Sequence, residues 1–241
     1  MGKFFNVTGS CDPELHYMVD ISGRLAQIRA MVDQGQYFCI NRARQYGKTT
    51  LLNALSDSLR KDYIVISMDF QTMSSSAFEN ELSFVAAFSA ELLDSVSRFP
   101  DDIEERLTAF AEKTARVISL QMLFKLLKAW FERTSSGIVM IIDEVDTATN
   151  NQIFIDFLAQ LRACYLRRKT APAFHSVILA GVYDVRNIKV KMRPEEEHKL
   201  NSPWNIAAKF CVDMSFSAED IAGMLKLYEN DNHTGMDIFL I

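Results

Sequence analysis

Lys48 and Thr49 follow a glycine in the run Asn41-Arg42-Ala43-Arg44-Gln45-Tyr46-Gly47-Lys48-Thr49-Thr50, an order suited to holding phosphate. Backbone N–H groups that curl around phosphate oxygens need a residue free of Cβ constraints, which Gly47 supplies. Lys48 can reach β- and γ-phosphates as a point charge. The Thr49 hydroxyl is a hard oxygen suited to Mg²⁺, and a helix starting there adds its dipole. A full phosphate-binding loop carries a further glycine where this chain has Arg42. Gly-Lys-Thr alone also describes a basic surface turn, so its context must decide.

A second motif lies downstream, in Ile138-Val139-Met140-Ile141-Ile142-Asp143-Glu144. An apolar strand that ends in two acids is costly unless they work at its C-terminal edge, where open α/β sheets bind ligands. Asp143 is placed to hold Mg²⁺ through its water shell, complementing Thr49. Glu144 is placed to polarise a water attacking a γ-phosphate. A strand simply meeting solvent would look similar, with Asp146 as a third acid.

These residues need a scaffold, and the chain alternates short β-rich runs with helical stretches, as a parallel sheet flanked by helices does. Five runs read as strands: 37–41, 63–70, 138–143, 176–181 and 210–216. The third and fourth are almost wholly apolar, as strands covered on both faces are. Helical stripes run through Ile21, Leu25, Ile28 and Val32, through Leu51, Leu52, Leu55 and Leu59, and through Ile153, Phe154, Phe157, Leu158, Leu161 and Tyr165. Residues 76–135 read as two or three helices broken near Pro100, where proline followed by acids is a start signal. Ser217 with Glu219 and Asp220 reads as the cap of a last helix reaching Leu227 or Tyr228.

Composition narrows the class. The chain has 241 residues, 49% of them hydrophobic and 11% aromatic, enough to bury a core without disulfides or a structural metal. No apolar run approaches the roughly 20 residues of a membrane span, and the first residues lack the apolar stretch of a secretory signal. A formal charge of −5 disfavours a protein that coats nucleic acid. The four cysteines are scattered with no C-x-x-C pair, and the four histidines have no i,i+4 partner. Neither a zinc site nor a disulfide framework is indicated, and a cytoplasmic location is expected. Arg167-Arg168-Lys169 suits a helix C-terminus or a phosphate contact, and the basic run 186–193 suits a solvated loop or a surface for DNA or a partner subunit.

The run from Asn41 to Leu51 resembles the RPRQ-x-GKT loop of the AAA-like P-loop ATPases, near the STAND and archaeal-ATPase branch of the AAA+/ASCE group, in which arginine commonly replaces the first glycine. Phe5-Asn6-Val7-Thr8-Gly9, His16-Tyr17-Met18-Val19-Asp20 and Asn201-Ser202-Pro203-Trp204-Asn205-Ile206-Ala207 are similar to other signatures of that family. The resemblance implies an α/β P-loop NTPase fold of the ASCE type, a five-stranded parallel sheet in which strand 176–181 separates the strand of Asp143 from that of the P-loop. It implies ATP with Mg²⁺, bound by Arg42, Arg44, Gln45, Tyr46, Gly47, Lys48, Thr49 and Thr50. Thr49 and Asp143 would hold the metal, and Lys48 and Glu144 would act in catalysis. Tyr183, Asp184 and Arg186 become sensor candidates. Tyr17 and Val19 become an adenine wall, with a buried staple for the first helix as an equal reading.

Residues 1–216 then form the nucleotide-binding domain and 217–241 the start of a helical lid, rudimentary and apparently cut short. The expected activity is ATP hydrolysis. The alternatives are a nucleotide-dependent switch or scaffold that hydrolyses little, and a DNA-associated motor or loader. Expected partners are ATP and a protein partner or a second copy of the chain; DNA is without support, and no membrane is expected.

Overall fold

β-branched runs and amphipathic stretches in alternation fold into one parallel sheet with helices on both faces. The computed structural model describes residues 2–42, 47–182, 203–236 and 238. In chain order the elements are α1 (Ser22–Asp33), β1 (Tyr37–Asn41), α2 (Lys48–Leu59), β2 (Ile64–Asp69), α3 (Glu81–Ser95), α4 (Asp101–Ala111), α5 (Leu120–Phe131), β3 (Ile138–Asp143), α6 (Gln152–Arg167), β4 (Ser176–Gly181) and α7 (Ala218–Asn232). Short 3₁₀ turns add Ser75–Phe78 and Val145–Thr147.

The sheet order is β1-β4-β3-β2 and every pairing is parallel. β4 therefore lies between β1 and β3, as the family resemblance implies. The C-terminal ends of β1, β4 and β3 stand side by side, the edge at which such sheets take ligands. Side chains alternate between two cores with the period of a strand. Tyr37, Cys39, Met140, Ile142, Val177 and Leu179 face α3, α5 and α6, where Phe84, Phe88, Phe154 and Phe157 pack. Phe38, Ile40, Val139, Ile141, Ile178 and Ala180 face α1 and α2.

The expected fifth strand, 210–216, is a correction: among the described residues the sheet has four strands. Val212 and Met214 are buried between exposed Cys211, Asp213 and Ser215, so the period-two burial that suggested a strand is present. The ladder is not. Ala208 makes one bridge to Phe38, and beyond it arginine side chains take the carbonyls: Arg42 that of Val212, Arg24 those of Asp213 and Ser215. An extended segment held by guanidinium groups buries its apolar side chains without backbone pairing.

Helix starts follow local chemistry. Asn80 caps α3 by accepting the Ser83 N–H, and Ser119 caps α5 by accepting that of Met122. Pro100 stands immediately before α4, whose first turn holds Asp101, Asp102 and Glu104. Ser217 and Asp220 form a reciprocal capping box on α7, which runs on to Asn232, one turn past the expected end. No helix among the described residues is long and apolar enough to cross a membrane.

Candidate functional site

α2 begins immediately after Gly47, whose φ of 68° and ψ of 19° lie in the left-handed region that glycine enters freely. The reversal there turns the first residue of the helix inward, so Lys48 is only 7% exposed. A buried cation needs partners. Lys48 Nζ finds Glu144 Oε1 at 2.8 Å and Asp143 Oδ1 at 3.2 Å. Burial alone would draw the Lys48 pKa down, but the bonds to Glu144 and Asp143 outweigh it and hold the value above that of an ordinary lysine. The next residue completes the cluster: Thr49 Oγ1 donates to Asp143 Oδ2 at 2.9 Å.

The acids owe their positions to the end of β3. Asp143 is its last residue and is buried, and its Oδ1 accepts the Glu144 N–H at 2.8 Å. Glu144 itself is left-handed, with φ 51° and ψ 39°. For a residue with a side chain that conformation stores about 1–2 kcal/mol. Strain of this kind persists where surroundings enforce it.

Chemically, the cluster joins an ammonium, a hydroxyl and two carboxylates beside the opening of a helix. The Thr49 hydroxyl and the Asp143 carboxylate are hard oxygens of the sort Mg²⁺ takes, one or two from the protein with water and phosphate completing the shell. Among the described residues no group of three or more His, Cys, Asp or Glu could hold a metal alone.

Beside the start of α2 lies an open cavity of about 990 Å³, lined by the N-terminal segment, α1, α2 and α7. Pockets for small molecules are typically about 300–1,000 Å³. Tyr17, Val19 and Thr50 all line it. Thr50 Oγ1 accepts the Cys11 N–H at 2.9 Å, joining the N-terminal segment to the first turn of α2. The Tyr17 ring packs against Phe5 and Tyr228, which also touch each other, and its hydroxyl donates to Asp231 Oδ2 at 3.0 Å. Tyr17 is thus at once part of the cavity wall and a fastening for the end of α7.

Arg42 takes another direction. Its N–H donates to the Gly181 carbonyl at 3.1 Å and its guanidinium to the carbonyls of Asn41 and Val212. Arg44, Gln45 and Tyr46 of the loop lie outside the described residues, as do the sensor candidates Tyr183, Asp184 and Arg186 and the basic run 186–193.

The model of one family, the AAA-like domain, matches residues 16–236, nearly the whole chain. The chain belongs to the AAA-like domain family. Solved structures carry the same fold at low identity. A Walker-type ATPase of Pyrococcus abyssi superposes with a TM-score of 0.65 at 14% identity, over 97% of this chain and 63% of that chain. The ORC1 protein of Aeropyrum pernix, solved in complex with DNA, gives 0.53 at 9% identity, over 89% of this chain and 50% of its own. Cdc6p from Pyrobaculum aerophilum gives 0.52 at 14% identity, over 86% and 48%. The AAA-like domain thus spans about half to two thirds of these proteins. Comparison with curated proteins returns no match.

Sequence reasoning missed the residues that fasten α7 over the cavity of this AAA-like domain. Arg24 of α1 pairs with Asp220 at 2.7 Å, donates to the Ser215 carbonyl and lies 5.0 Å from the centroid of the Phe216 ring. At the far end Asn232 donates to the Tyr17 hydroxyl at 3.0 Å. An arginine in the first turn of α1 gives no local signal of a partner almost 200 residues away.

Proposed function

We propose that the AAA-like domain binds ATP with Mg²⁺ and hydrolyses its terminal phosphoanhydride. The observation that carries this reading is the convergence of Lys48 and Thr49, at the start of α2, on Asp143 and Glu144, at the end of β3. In this reading the backbone at Gly47 and the ammonium of Lys48 receive the phosphates, and Thr49 and Asp143 hold the metal. Mg²⁺ would supply neutralisation of charge on the phosphate oxygens. Glu144 accepts a hydrogen bond from the attacking water, which raises that oxygen's nucleophilicity. The cavity lined by Tyr17 and Val19 receives base and sugar. Residues 1–216 act as the nucleotide-binding domain, and 217–241 as a lid element fastened by Arg24 and Tyr17.

One observation favours the second reading, a nucleotide-dependent switch with little turnover. Lys48 pairs with Glu144 at 2.8 Å, so the carboxylate assigned to the water is engaged by a cation until phosphate takes its place. The Aeropyrum neighbour is bound to DNA; carried to this chain, that makes a third reading, to which a net charge of −5 lends nothing.

The test is to measure binding of a fluorescent ATP analogue alongside phosphate release. Glu144→Gln is expected to bind normally and lose turnover, and Lys48→Ala to lose affinity. Equal slow turnover in wild type and Glu144→Gln would favour the switch. Full nucleotide affinity in Lys48→Ala would sink all three readings.

A further inference from the structure

Two strand ends meet at Asp146, which neither the family match nor the motif reading gives a role. Asp146 lies in the 3₁₀ turn Val145–Thr147 that follows Glu144. Its carboxylate reaches across to β4, where Oδ2 accepts the backbone N–H of Val182. Gly181 makes that approach possible. A Cβ at position 181 would stand 2.8 Å from Asp146 Oδ2 and 3.0 Å from its Cγ and Oδ1, and these are the three nearest atoms it would meet. Gly181 is also the register partner of Asn41 at the end of β1, and its carbonyl accepts the Arg42 N–H at 3.1 Å. The turn that carries Glu144, the end of β4 and the residue leaving β1 are therefore joined in one line through Asp146 and Gly181.

We infer that Asp146 is a positioning residue for hydrolysis, fixing the Glu144 turn against the end of β4; this rests on the ATPase reading above. Glu144 holds a left-handed backbone that its surroundings must enforce. Two contacts restrain it, one on its side chain and one on its turn. Lys48 engages its side chain, and Asp146, two residues on, ties its turn to Val182. A phosphate that draws Lys48 away removes the first restraint and leaves the second. The Glu144 turn then keeps its place against the ends of β4 and β1 because the Asp146 bond persists. Glycine at 181 serves the same arrangement: a side chain there would meet the Asp146 carboxylate and displace it from its bond to Val182.

The experiment compares wild type, Asp146→Ala, Asp146→Asn, Gly181→Ala and the Asp146→Ala/Gly181→Ala double variant. Its readouts are kcat and KM for ATP, affinity for a fluorescent ATP analogue, and thermal unfolding. Misplacing a reacting group by about 1 Å lowers rates on the order of 100-fold, so Asp146→Ala is expected to reduce kcat by about 10- to 100-fold. KM and analogue affinity should stay within about twofold, the signature of an interaction that matters after binding. Asp146→Asn keeps an acceptor for the Val182 N–H and should recover most of the rate. Gly181→Ala should lower kcat in the wild-type background and add nothing to Asp146→Ala, because the atoms it would strike are gone. A wild-type kcat in Asp146→Ala overturns the inference, and so do independent, multiplicative effects of the two substitutions. Parallel losses of rate and affinity, with Asp146→Asn no better than Asp146→Ala, reduce Asp146 to a structural anchor. Wild type that binds ATP without turnover, or does not bind it, overturns the ATPase reading before any variant is compared, and this inference falls with it.

Discussion

Lys48 Nζ stands 2.8 Å from Glu144 Oε1, and Glu144 is one of the few residues with a side chain held at positive φ. The cation of the loop and the acid of the strand end therefore restrain each other directly, across 96 residues of sequence. A ligand whose negative charge takes the place of the carboxylate at Lys48 would remove this one restraint on the Glu144 side chain. In the ATPase reading proposed above, this contact would couple binding to the readiness of the acid.

Lys48 should make the ligand-free protein sensitive to alkali. Its folded pKa is raised above the unfolded one, because its bonds to Glu144 and Asp143 outweigh the penalty of burial. The stability it contributes is then fully present below the unfolded value, about 10.4, and is lost as pH rises through the folded value. The buried Tyr37 phenol is also pushed up, by burial first, and acts with the same sign. Urea unfolding should give a free energy that falls above about pH 10.4, and the fall should be shallower in Lys48→Met. An identical slope in both proteins would remove Lys48 from this account.

Gly47→Ala isolates the backbone contribution of the loop. A Cβ at position 47 meets nothing within 4 Å, so the substitution adds no clash. What it adds is the strain of a left-handed alanine at φ 68°, about 1–2 kcal/mol. That strain is expected either to lower unfolding free energy by about this amount or, if the loop opens instead, to weaken nucleotide affinity about tenfold. The two outcomes are separated by urea titration with and without nucleotide. A variant unchanged in both would mean that the turn at Gly47 is not needed.

Where local chemistry fixes an element, it was readable from sequence. The Gly47–Thr49 turn, the acids at the end of β3, the Ser217 cap and the four buried strands all follow from residue type and spacing. The segment 210–216 carried the alternation of a strand, yet alternation reports burial and not pairing. Its carbonyls meet Arg24 and Arg42, which are distant in sequence. Asp146 was visible as a third acid, but its contact with Val182 depends on the absence of a side chain at 181, in another strand. The pattern is physical: contacts within one turn leave a local trace, and contacts between elements leave one only when the motif is already known.

The Arg24–Asp220 pair should hold the start of α7 at neutral pH and release it in acid. The Asp220 carboxylate accepts the Ser217 N–H and then the Arg24 guanidinium, and both hold its pKa below the usual aspartate value. A depressed folded pKa contributes stability above the unfolded value, about 3.9, that is lost as pH falls through the folded one. Hydrogen exchange across 218–232, corrected for intrinsic rate, should lose protection below about pH 4. Arg24→Ala should show the same loss at pH 7, with protection in β3 and β4 unchanged. Full protection of α7 in that variant would mean that its docking does not depend on the pair.

Tyr17 admits two roles, a wall for the base or a staple for the chain, and two substitutions separate them. Tyr17→Phe keeps the ring and removes the hydroxyl that bonds Asp231 and Asn232 at 3.0 Å each. It should loosen the end of α7 by about 1 kcal/mol, seen as faster exchange near Asn232, while ATP affinity stays within about twofold. Tyr17→Ala removes the ring as well. An aromatic contact contributes about 0.5–1.5 kcal/mol beyond its buried area, so ATP affinity should fall about tenfold. Inorganic tripolyphosphate has no base to lose, and its affinity should not change. If Tyr17→Ala weakens ATP and tripolyphosphate alike, Tyr17 acts on the phosphate end through the fold and the base is held elsewhere. If it weakens ATP alone, the cavity beside α2 is where the base sits, and the residue that fastens α7 also senses the ligand beneath it.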